Sequence, residues 1–102
     1  MDQKRKQWIS FLGLAARARK VITGEEMVIQ AIRQNKAFLV LLSNDASART
    51  KKTIADKCTY YKVPYKEVVD RATLGHAIGK AERVCVAITE KGFGDKLIAM
   101  ID

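Results

Sequence analysis

The sequence predicts an α/β fold, a three-layer α/β/α sandwich around a mixed sheet of about four strands. Three observations lead there. Phe38 to Leu42 and Val84-Cys85-Val86-Ala87-Ile88 are apolar throughout, the pattern of strands covered on both faces. Segments with apolar residues at helical spacing alternate with these strands along the chain. No internal repeat, low-complexity tract or linker interrupts the 102 residues, so one domain over 1–102 is expected.

Each element has its own signal. Trp8, Phe11, Leu12 and Ala15 form one stripe of a first helix over about 3–18, leaving Lys4, Arg5, Arg17 and Arg19 outside. Arg19-Lys20-Val21-Ile22 reads as a brief strand closed by a turn at Thr23-Gly24. A second helix opens at Gly24, faces inward through Val28, Ala31 and Ile32, and stops near Asn35. After the central strand, Ser47 is a candidate cap for a third helix carrying Ile54, Cys58 and Tyr61 at i, i+4 and i+7. Val63-Pro64-Tyr65 opens another strand, and Pro64, lacking an N–H, places it at a strand start or sheet edge. Thr73 is expected to cap the short segment Leu74 to Ile78, which Gly79 ends in a left-handed turn. Gly94-Asp95 is expected to start the last helix, with Leu97, Ile98 and Ile101 inside.

Composition limits what such a domain does. No apolar run approaches the roughly 18 residues of a membrane span. Lys4-Arg5-Lys6, the apolar stretch from Trp8 to Ala16 and the small-x-small Ala16-Arg17-Ala18 imitate a secretory leader. The helical spacing within that stretch favours an amphipathic helix instead, and a cytoplasmic location is expected. Cys58 and Cys85 are too few for a disulfide framework and form no Cys-x-x-Cys pair, so buried free thiols are expected. His76 is the single histidine, which removes most zinc sites. A net charge of +8 with a pI near 9.7 creates a positive field suited to a polyanionic partner, nucleic acid before membrane.

The search for catalytic chemistry is negative. Gly75, Gly79, Gly92 and Gly94 form neither a Gly-x-Gly-x-x-Gly turn nor a Walker loop. Glu25 and Glu26 are neighbours and diverge by about 100° on a helix, unlike a facing acid pair. No nucleophile has a base at a recognisable spacing, so no enzyme activity, cofactor or metal is expected. What remains is a set of loops: Gly24 at a helix start, Ser43-Asn44-Asp45-Ala46 after the central strand, and Gly79 to Arg83 before the last strand. Layered α/β folds gather such loops at one end, where ligands bind. The Gly24 turn would expose N–H groups suited to a phosphate or base acceptor. It equally fits a plain tight turn whose acids complement the helix dipole.

Several blocks, in this order and spacing, are similar to the kink-turn-binding ribosomal protein family, the large-subunit L-seven-Ae and L-thirty-e type. They are Gly24 at the second helix, Leu39-Val40-Leu41-Leu42-Ser43-Asn44-Asp45, Lys62-Val63-Pro64-Tyr65 and Leu74-Gly75-His76-Ala77-Ile78-Gly79. The block Leu12-Gly13-Leu14-Ala15-Ala16-Arg17-Ala18-Arg19-Lys20-Val21 resembles a bacterial branch of that family. The resemblance covers essentially the whole chain. It implies the same sandwich, binding of a sharply bent RNA with tandem sheared G·A pairs, and entry of the second helix into the groove at those pairs.

Family members often carry Gly-x-Asn-Glu-x-x-Lys at that helix. Gly24 matches the glycine, whereas Glu26, Met27 and Gln30 stand at the Asn, Glu and Lys positions. Before the last strand, Lys80-Ala81-Glu82-Arg83 replaces the family's aliphatic loop, favouring phosphate contacts over packing on bulged nucleotides. The RNA-facing set implied by the resemblance is Lys20, Thr23, Gly24, Glu25, Glu26, Met27, Gln30 and Arg33, with Asp45 and with Lys80, Ala81, Glu82 and Arg83. The expected partner is structured RNA, of kink-turn type and ribosomal, bound by a monomer away from membranes. The alternative is a general ribosomal-RNA or protein-interaction module of the same fold without kink-turn specificity.

Overall fold

The computed structural model describes residues 2–101. Its elements are α1 (Asp2–Arg17), β1 (Val21–Thr23), α2 (Glu25–Arg33), β2 (Leu39–Leu42), α3 (Ala48–Tyr61), β3 (Tyr65–Glu67), α4 (Arg71–Ala77), β4 (Cys85–Ile88) and α5 (Lys91–Ile101). The sheet order is β1-β4-β2-β3. β4 runs antiparallel to both its neighbours, and β2 pairs with β3 in parallel, so the sheet is mixed as the sequence predicted. β3, which follows Pro64, lies at an edge.

The apolar runs of β2 and β4 are explained by alternation, because each strand feeds two cores. Val40, Leu42, Cys85 and Ala87 face a cluster with Val28, Ala31 and Ile32 of α2 and Ile54 and Cys58 of α3. Leu39, Leu41, Val86 and Ile88 face the other side, against Trp8 and Leu12 of α1, Leu74 of α4 and Leu97 of α5. Those two helix layers make the three-layer sandwich. Val28 and Ile32 are fully buried, each contributing on the order of 1.5–3 kcal/mol. Cys58 and Cys85 are free thiols in the first cluster, and burial pushes both pKa values up to about 12.

Three expected boundaries move, each for a local reason. The strand expected over 19–22 begins only at Val21, because Arg19 and Lys20 close α1. Arg19 is left-handed (φ 62°), and the Lys20 N–H donates back to the Ala15 carbonyl at 2.9 Å. α2, α3 and α4 end by the same device at Asn35, Lys62 and Gly79, where the next N–H returns to Ala31, Cys58 and Gly75. The cap of α4 is Asp70 rather than Thr73. Its carboxylate accepts from the Thr73 N–H at 3.0 Å and the Thr73 hydroxyl at 2.7 Å, which starts the helix at Arg71. α5 starts at Lys91 rather than Gly94, with the Glu90 carboxylate accepting from the Phe93 N–H at 2.9 Å. Gly94 lies inside that helix because a Cβ there would stand 3.2 Å from Phe38 Cβ.

Candidate nucleic-acid interface

Strand register places the functional loops. Thr23 pairs with Val86, and Leu42 pairs with both Cys85 and Glu67. The ends of β1, β2 and β3 and the start of β4 therefore share one end of the sheet, where α2, α3 and α4 all begin. The Thr23 hydroxyl donates to the Cys85 carbonyl at 3.1 Å, tying the Gly24 turn to the entry of β4.

α2 divides its residues cleanly. Val28, Ala31 and Ile32 are buried, while Glu26, Met27, Gln30 and Arg33 are exposed on the opposite side. Met27 is 54% exposed, a substantial apolar surface open to solvent. With Gln30, Gln34, Ile22 and Lys36 it lines a shallow depression of about 310 Å³. Gln34 and Lys36 were not singled out in the sequence, although Met27, Gln30 and Gln34 fall at i, i+3 and i+7. Gly24 has φ 96°, which only glycine adopts without strain, and a Cβ there would meet nothing within 4 Å. No side chain caps this helix.

Glu25 turns away from Glu26. Its carboxylate accepts from the Thr50 hydroxyl at 3.1 Å, and Ser47, the cap of α3, bonds Thr50 in turn. In the first turn it also sits at the positive end of the α2 dipole. Asp45 is similarly engaged. Its Oδ1 accepts from the Arg71 N–H at 3.1 Å and lies 3.4 Å from Arg71 Nε, while the Arg71 guanidinium donates to its carbonyl at 2.6 Å. Desolvation works against ionisation of Asp45, but the Arg71 N–H and the Arg71 charge prevail and lower its pKa. Thr50 and Arg71 carried no sequence signal, since both act across long sequence separations.

The segment before β4 is built on α4. Gly75 is buried, and a Cβ there would fall 1.7 Å from the Ala81 carbonyl oxygen. That contact, with the Lys80 N–H on the Gly75 carbonyl and the Arg83 N–H on the Arg71 carbonyl, fixes the loop path. Lys80, Ala81 and Glu82 are exposed along it and Arg83 is half-buried. Lys20 lies apart from these residues. Its carbonyl accepts from the Thr89 N–H, at the opposite end of β1 from Gly24. Arg33 extends the Glu26–Gln30 stripe to the last turn of α2.

Fold and site together define a class: a small α/β/α protein with one loop-lined end and an amphipathic helix whose outer stripe serves no internal packing. No cluster of three metal-ligating side chains exists among the described residues, nor any helix long and apolar enough to cross a membrane. Residues 6–98 match the ribosomal protein L7Ae/L30e/S12e/Gadd45 family, and the chain belongs to that family. It is 57% identical over 96 residues to the RNA-binding protein YlxQ of Bacillus subtilis, covering 94% of this chain and 96% of that one. Identity to the large ribosomal subunit protein eL30 of Branchiostoma belcheri is 34%, covering 98% and 92%. A solved Bacillus halodurans protein of unknown function superposes with a TM-score of 0.92 at 52% identity, covering 93% of this chain and 96% of that one. The Giardia lamblia 15.5 kD RNA-binding protein superposes at 0.84 with 16% identity, covering 99% and 87%, a likeness of fold alone.

Proposed function

We propose that the protein binds structured RNA without catalysis, recognising a kink-turn or similarly bent helix through the outer stripe of α2. The observation that carries this reading is the exposed set Glu26, Met27 and Gln30 at an uncapped helix start, beside the loop before β4. These side chains lie outside the buried core, and the family membership and the names of the relatives point the same way.

The chemistry suits guanine edges at sheared G·A pairs. The Glu26 carboxylate accepts from N1–H and N2–H₂, Gln30 both donates and accepts, and Met27 contributes apolar contact. Free N–H groups at the α2 start and the cations Lys80 and Arg83 address phosphates, which position the helix rather than read sequence. Glu25 and Asp45, held by Thr50 and Arg71, shape the edge from behind.

A second reading is favoured by one specific observation. Met27 and Gln30 stand where relatives of the family often carry Glu and Lys, which points to a general ribosomal-RNA or protein-interaction module. The two readings separate on a kink-turn duplex compared with a duplex whose G·A pairs are replaced by Watson–Crick pairs. Kink-turn recognition requires tighter binding to the first; equal affinity for both would sink it.

A further inference from the structure

The block Leu12 to Val21 plays no part in the α2 surface, yet it builds a second feature. Where the C-terminal half of α1 crosses the end of α4, an open cleft of about 450 Å³ forms, lined by Gly13, Arg17, His76, Gly79 and Lys80, among others. None of its lining residues is acidic. Gly13 sets the approach of the helices, since a Cβ there would stand 3.2 Å from the Ala77 carbonyl oxygen. The same position would be 3.7 Å from Arg17 Nη1, so the guanidinium lies over the glycine at the cleft wall.

Basic side chains in the last turns of α1 and α4, Arg17 and His76, sit where a helix C-terminus favours them, and that alone would account for each position taken singly. It does not account for their convergence. Arg17 of α1 meets His76 and Lys80 at the end of α4; all three are exposed and engage no acidic partner among the described residues. Concentrating cations around a concavity costs repulsion that an anion relieves. Arg17 offers a planar fork of donors matched to phosphate oxygens, and Lys80 adds a point charge. Lys80 also opens the loop that runs through Arg83 into β4, so the cleft shares one residue with the proposed RNA surface.

We propose that the α1–α4 cleft is a backbone-phosphate site that grips the RNA outside the segment read by α2, with Arg17 as its principal ligand and His76 and Lys80 beside it. The inference rests on RNA binding as the function, but not on kink-turn selectivity. It predicts sequence-independent contact, because phosphates carry no base information.

The test measures affinity of the full chain for a kink-turn duplex and its Watson–Crick-repaired counterpart across a salt series, for wild type, Arg17→Gln and His76→Gln. Loss of one phosphate contact should flatten the slope of log K against log [salt] by about 0.9 and weaken binding about fivefold at 0.15 M salt. Arg17→Gln is expected to do this equally on both duplexes, while His76→Gln weakens binding by less. Arg17→Glu should weaken binding further. Unchanged slopes in the Arg17 variants would overturn the proposal even if the kink-turn is still preferred. Equal wild-type binding to both duplexes would remove kink-turn reading and leave this site standing if Arg17→Gln weakens both. Titration with inorganic phosphate, followed by the NMR signals of the Arg17 and His76 side chains, separates a free-anion pocket. Perturbation by phosphate with no change of RNA slope contradicts the assignment to RNA.

Discussion

Three helices begin at the same end of the sheet, and they begin differently. α3 and α4 start from Ser47 and Asp70, whose side chains accept from the N–H groups of Thr50 and Thr73. α2 starts from Gly24, which offers no side chain and is surrounded by open space. An unsatisfied helix start costs stability where it is buried, and is tolerated where water or a ligand supplies the acceptor. The capped starts are joints of the scaffold: Ser47 reaches α2 through Thr50 and Glu25, and Asp70 starts the helix that carries the loop before β4. The uncapped start is open to solvent and is the surface proposed above for RNA. Changes near α3 and α4 should therefore reduce stability, and changes on the outer stripe of α2 should reduce binding alone.

The largest effect is expected at Gly75. An added Cβ meets backbone, not a flexible side chain, so neither α4 nor the 79–83 loop can yield locally. Gly75→Ala should destabilise by about 3 kcal/mol or more, lowering the thermal midpoint by more than about 12 °C. Ser47→Ala should cost about 1 kcal/mol, since it removes the α3 cap and loosens Thr50 beneath Glu25. Both are read by thermal or urea unfolding. An unfolding midpoint indifferent to Ser47→Ala would mean that the capped starts are not the joints described.

Acid should expose the same scaffold more gently. Hydrogen bonds from Thr73 hold the Asp70 pKa below the ordinary carboxylate range, and the Arg71 contacts prevail over desolvation to lower that of Asp45. Their contribution is fully present above the unfolded value of about 3.9 and is lost as pH falls through the lower folded values. The urea midpoint should decline below about pH 4. Asp70→Asn retains an acceptor for Thr73 but no longer titrates, so its decline should be shallower. An equally steep decline in that variant would remove Asp70 from the account.

Legibility in the sequence followed the range of the interactions. β2 and β4 were plain because a strand feeding two cores shows no polar alternation. The inner and outer faces of α2 were plain from spacing, and Ser47 from its residue type. Helix ends were uneven: Asn35 marked the end of α2, whereas Arg19 and Lys62 take the left-handed position usually marked by glycine or asparagine, and the turn at Arg19-Lys20 was hidden inside the expected strand. Gly94 misled in the opposite sense, being small for Phe38 rather than a helix start. Asp70 and Thr73 are both cap residues by type, and only the structure shows that the helix starts at the first of them. At the candidate site, Glu26, Met27 and Gln30 follow from the family resemblance, and helical spacing adds that they share one face of α2. The hold of Thr50 on Glu25 and of Arg71 on Asp45 joins residues 25 and 26 positions apart, and no local pattern encodes it.

The central claim is that the outer stripe of α2 is free of structural duty and reads bent RNA. It is tested most directly by the double variant Glu26→Ala/Gln30→Ala, measured for unfolding and for affinity to the kink-turn and Watson–Crick-repaired duplexes. The account predicts stability within about 0.5 kcal/mol of wild type and a loss of discrimination of about 1–3 kcal/mol per bidentate contact. Unchanged discrimination in a stably folded variant would contradict it.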